Sequence, residues 1–156
     1  MRSEASDEAH TDQEDERHLQ TFLQEVRILV PGAQILGGFL FALPFQQRFQ
    51  ALTAPQRVVF EVVFVSTMLA LVLFLAPAAY HRFVWPIREK RRFVAFGTRF
   101  LLVGFVPLAL SIVLSAYLVS SVVVGDAAAA VVACGFAVLM GITWWALPSR
   151  RAHESR

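Results

Sequence analysis

Few residues in this chain combine a reactive side chain with an apolar setting. Gln34 stands within "GAQILGG" and Glu61 within "VVFEVVF". At membrane depth such a side chain is a candidate for a transport path, a proton relay or a hydrogen bond between helices. Gln34 lies nearest the middle of its apolar stretch, where an amide must find a partner. Beside it, Ala33/Gly37 and Gly38/Ala42 are small-xxx-small pairs that let helices approach closely, so a packing hydrogen bond is preferred over a transport site. Glu61 falls about two turns into its helix, near one end of the span. A carboxylate there gains from the helix N-terminus and can pair with Arg57 one turn away, so a structural role is preferred for it as well.

A second set is basic: Arg27, His81, Arg82, Arg88, Lys90, Arg91, Arg92 and Arg99. Placed at the ends of apolar segments, these residues can hold anionic lipid headgroups. Their plainer role is to snorkel to the interface and fix depth and topology. A third set, Ala129, Ala133, Ala137 and Gly141, recurs every four residues and suits close packing against a neighbouring helix. Ser111, Ser115 and Ala116 offer a matching surface. Cys134 is the single cysteine, which rules out an internal disulfide, and one thiol is no metal site. There is no phosphate loop, HExxH motif, paired Cys/His spacing or GxSxG elbow. The scattered polar residues form no catalytic constellation. No enzyme activity, cofactor, metal or nucleic-acid partner is expected.

The elements that carry these residues follow from composition. Of 156 residues, 56% are hydrophobic and 17% charged, against about 25% charged in a typical soluble domain. Eight of the twelve acids lie in the first 25 residues, and six of the fourteen basic residues lie between Arg82 and Arg99. Four long apolar stretches separate the clusters, the pattern of an integral membrane protein. Residues 1–17 are acidic and polar, and read as a disordered tail. Residues 18–148 read as one domain of four transmembrane helices, about 26–46, 57–80, 100–124 and 127–147, followed by a short soluble tail, 149–156.

Local signals place the boundaries. Leu19, Phe22, Leu23, Val26, Leu29 and Val30 share one helix face, an amphipathic lead-in at the membrane surface with a kink expected at Pro31. Thr53 and Gln56 have capping-box spacing at the start of the second helix. Gly125–Asp126 makes a tight turn, with Asp126 expected as the next N-cap. The fold class is therefore an all-α integral membrane four-helix bundle with an amphipathic N-terminal lead-in helix. The acidic N-terminus and long first span argue against a cleaved signal peptide. With four spans, twelve Lys/Arg fall on one side and two, Arg48 and Arg57, on the other. The positive-inside rule then places both termini in the cytoplasm of a bacterial inner membrane.

The stretches "EVRILVPGAQ", "PFQQRF" and "PAAYHR", with Lys90–Arg91, resemble a small four-span membrane family of actinomycete-type, GC-rich bacteria, catalogued as of unknown function. The resemblance covers about residues 19–147 and is tightest in the first two spans. Members are sometimes labelled sodium:proton antiporters, so the resemblance implies a transport role. The residues themselves offer no midplane carboxylate for proton exchange. The leading expectation is a non-enzymatic inner-membrane protein, structural, accessory or partner-binding. The alternatives are a small oligomeric transporter using Gln34 and Glu61, and an anionic-lipid-binding protein. The expected partners are the bilayer with its anionic headgroups, and a homo-oligomer or an unidentified membrane protein.

Overall fold

Long apolar runs, broken only by short turn sequences, become four helices, the form in which a span bonds all its own backbone groups. A computed structural model describes residues 2–83 and 90–146. Helix α1 spans Arg2–Ala42, α2 Ala54–Phe83, α3 Lys90–Val124 and α4 Asp126–Gly141. Two 3-10 turns, Leu43–Phe45 and Gln47–Ala51, join α1 to α2, and α4 widens into a π-helical turn over Ile142–Ala146. The described chain is all-α. Within its helices, Gln24–Phe45, Ala54–Tyr80, Ala95–Val124 and Asp126–Trp144 are long and apolar enough to cross a membrane.

Their surfaces fit that solvent. Phe39 is 71% exposed and Val131 73%, with many other large apolar side chains alongside them. A water-soluble monomer rarely shows contiguous apolar surface on this scale. The buried residues form two apolar layers. One joins Val26, Ala33, Ala70, Phe74 and Leu101, with Leu29 and Val30 packed against it. The other joins Leu40, Phe60, Val63 and Leu118 toward the end that carries the 3-10 turns. Phe49 packs edge-on against Phe60 with ring centroids 4.9 Å apart, which pins the second turn to α2.

The helix ends follow the turn chemistry. The Thr53 N–H donates to Gln56 Oε1 at 3.0 Å, and the Gln56 N–H to Thr53 Oγ1 at 3.4 Å. This is the reciprocal capping box of the second helix. Gly125 reverses the chain between α3 and α4 at φ 91°, a conformation open to glycine because it lacks a Cβ. Gly125 itself is the N-cap, and its carbonyl accepts the Ala129 N–H at 3.1 Å. Asp126 therefore sits inside the first turn rather than at the cap, with its carboxylate accepting from the Tyr117 hydroxyl at 3.4 Å.

Three features bear on the sequence reading. First, α1 begins at Arg2, so the acidic segment 2–17 is helical rather than disordered. Glutamate, alanine, glutamine and arginine propagate a helix well, and acids near its start complement the dipole. Because the segment continues into a membrane-length helix, it needs no nucleus of its own. Second, the helix runs unbroken through Pro31, so lead-in and first span are one element. Third, among the described residues α4 packs on α3 and on no other helix, while α1, α2 and α3 all pack against one another. Among the described residues α1, α2 and α3 form a mutually packed group, and α4 joins it through α3. The loop residue Arg88 and the tail 149–156 lie outside the described residues.

Candidate functional site

The polar groups nearest mid-span are hydroxyls. Thr67 is at the middle of the α2 span and Ser111 close to the middle of the α3 span. Both side chains are fully buried, and their hydroxyl oxygens lie 2.5 Å apart. The Thr67 hydroxyl also donates to the Val63 carbonyl at 2.9 Å. Its single proton is thereby used, so Ser111 is the donor of the pair. This hydrogen bond ties α2 to α3 between the two apolar layers. Ser111 thus faces α2, not α4 as its place beside Ser115 and Ala116 suggested. One turn farther along α3, the buried Ser115 hydroxyl has no partner among the described residues.

A second tie closes the end with the 3-10 turns. Gln56 uses its amide oxygen for the cap of α2, and its Nε2 donates to Ser121 Oγ of α3 at 3.1 Å. Ser121 in turn donates to the Leu118 carbonyl at 2.9 Å. Sequence reasoning found the cap and missed the tie, because nothing in the Thr53–Gln56 spacing points to a residue 65 positions away.

Glu61 is exposed on α2, two turns from the helix start, and Arg57 does not pair with it. The Arg57 guanidinium donates instead to the carbonyls of Leu52 at 3.1 Å and Gln50 at 2.9 Å, fastening the turn. Those carbonyls are the unsatisfied ends of a 3-10 segment and lie within reach of the fork. Nearby, a groove of about 270 Å³ opens between the turns, α2 and the end of α3. Phe49, Phe60, Leu118 and Val122 line it, with Gln46 and Arg48 as its polar members.

Gln34 points out of the helix group. It is exposed and forms no hydrogen bond among the described residues. The expected bond to a neighbouring helix of the same chain is absent because Gln34 stands about 100° around α1 from Ala33, which faces inward. The two small-residue pairs beside it have separate fates. Ala33 and Gly37 are buried, and a Cβ on Gly37 would lie 2.8 Å from Met68 Cε, so this pair admits α2. Gly38 and Ala42 are exposed, and a Cβ on Gly38 would meet nothing within 4 Å.

The α4 stripe divides in the same way. Ala129 and Ala133 are buried, Gly141 is half-buried, and Ala137 is exposed, while Met140 takes the later inward position. A four-residue period on a 3.6-residue helix advances about 40° per step, so the stripe leaves the contact by its third member. Arg27 and Arg99 are exposed at the end carrying the α2–α3 connection. The side chains of His81, Arg82, Lys90, Arg91 and Arg92 lie outside the described residues, as does Arg88. Among the described residues no three His, Cys, Asp or Glu gather to hold a metal.

The profile of a family of unknown function, DUF6328, matches residues 7–148. The chain belongs to the DUF6328 family. Its match takes in all four apolar helices and most of the acidic half of α1. No curated protein and no solved structure matches this DUF6328 member.

Proposed function

We propose that this chain is a multi-pass protein of the bacterial cytoplasmic membrane that works without catalysis, as a structural or partner-binding component. The observation that carries the reading is the buried hydroxyl pair at mid-span. The hydroxyls of Thr67 and Ser111 bond each other across α2 and α3 at mid-span, where an exchanger would need an accessible titratable group. Among the described residues, the carboxylate within a span that lies nearest the centre is Glu61, and it faces outward two turns from the helix start. Apolar outer faces on all four helices support a lipid environment. Arg27 and Arg99, exposed at one end, support contact with anionic headgroups there. The basic asymmetry supports a cytoplasmic location for that end and for both termini.

The purified protein in liposomes tests this. With a pH gradient imposed, sodium and potassium flux should equal that of protein-free liposomes. A flux that Glu61→Gln abolishes overturns the structural reading in favour of transport.

A further inference from the structure

A primary amide at the centre of a membrane span must be hydrogen-bonded, because hydrocarbon offers it nothing. Gln34 is centred in the apolar stretch Gln24–Phe45, points away from the other helices, and has no partner among the described residues. It lies about 15 Å along the axis from either end of that stretch, so its short side chain cannot reach the interface. The fold therefore leaves this carboxamide unmet at mid-depth, on a face of α1 that no helix covers among the described residues.

We propose that this face is a homodimer interface in which Gln34 bonds Gln34 of a second copy. A carboxamide carries both donors and an acceptor, so two of them satisfy each other. Two copies inserted in the same orientation are related by a two-fold axis along the membrane normal, which sets a central residue opposite its own counterpart. One turn from Gln34, Gly38 presents bare backbone with open space beyond it, and Ala42 continues the same exposed face. These small residues let the two α1 helices come close enough for the amides to meet. The exposed face of α4 is wide but presents Val131, Val138 and Leu139, which lipid satisfies. The proposal rests on the membrane-spanning reading and names the partner within it.

Cysteine cross-linking in native membranes tests it. In a Cys134→Ser background, Gly38→Cys should oxidise to a covalent dimer. Gly32→Cys, about 120° away round α1 and also in open space, should not. Neither change meets another side chain, so neither should disturb the fold. Adding Gln34→Leu should raise the dimer dissociation constant by about 5- to 30-fold, the range for polar hydrogen bonds between separate model transmembrane helices. Gln34→Asn should recover part of the loss, and the melting temperature of the detergent-solubilised monomer should not fall in either variant. The proposal is overturned by equal cross-linking at residues 32 and 38, by none at 38, by adducts only with a different protein, or by a dimer indifferent to Gln34→Leu. Reporter fusions that keep the four-span topology in any of those cases would leave the membrane reading standing while the interface fails.

Discussion

Replacing Gly104 by alanine puts a methyl group where the ring of Phe74 already lies. A Cβ on Gly104 would stand 2.6 Å from Phe74 Cε1, 2.9 Å from Cδ1 and 3.3 Å from the Leu73 Cβ. Carbon atoms at optimal contact are about 3.5–4.0 Å apart, so something must move by roughly 1 Å. The ring has little freedom to do so. Phe74 is fully buried and packs edge-on against Phe105 at 5.7 Å, and Phe105 packs edge-on against Trp144 at 5.1 Å. A shift of Phe74 would therefore pass through α3 to the end of α4. Overpacking of this kind costs about 1–3 kcal/mol.

Two other glycines calibrate the effect. A Cβ on Gly135 meets nothing within 4 Å, so Gly135→Ala should be neutral or stabilising by about 0.5–1 kcal/mol from helix propensity alone. A Cβ on Gly37 meets the terminal methyl of Met68 at 2.8 Å, and an unbranched thioether yields easily, so Gly37→Ala should fall in between. Unfolding in detergent, followed by thermal or SDS titration, should rank the losses Gly104, then Gly37, then Gly135. Phe74→Leu should partly suppress Gly104→Ala, with a double variant less impaired than the two singles added together. The reasoning fails if Gly104→Ala is no worse than Gly135→Ala, or if Phe74→Leu gives no suppression.

Two further predictions concern the polar tie and the orientation. In a cycle of Thr67→Val and Ser111→Ala, the coupling should be about 0.5–1.5 kcal/mol, the usual range for interhelix hydrogen bonds in membranes. Strict additivity would refute the tie. Reporters active only in the cytoplasm should work when fused at residue 156 or within 86–92 and be silent at 50–53. Activity at 50–53 would reverse the proposed orientation.

The helices were legible because their boundaries carry chemistry that acts locally. Thr53 and Gln56 cap each other across one turn, and Gly125 supplies a backbone angle that few other residues adopt. Facing was much less legible. In a soluble helix, polar and apolar sides differ, and the period reveals the buried face. In a span, lipid and protein interior are both apolar, so Phe39 at 71% exposed and Phe74 at 0% look alike in sequence. The small-residue stripe of α4 shows the consequence. Its members are evenly spaced, yet the inward face passes to Met140 because the helix turns under them. The acidic start of α1 failed for another reason: composition argued for disorder, while continuity with a long helix supplied the order that composition lacks.

For the polar residues, depth can be counted along the chain, but role depends on depth and direction together. Gln56 and Gln34 are chemically identical. Gln56 sits at a helix start and turns inward, so its amide both caps α2 and holds α3. Gln34 sits at mid-span and turns outward, so the same amide is left without a partner among the described residues. Glu61 turns outward too, but two turns from the helix start, where it is close to the interface and to the favourable end of the dipole. Of these three, only Gln34 combines a depth that water does not reach with a direction that no helix covers among the described residues. None of the described residues meets its requirement, and this is the ground for the proposal that a second copy of Gln34 does.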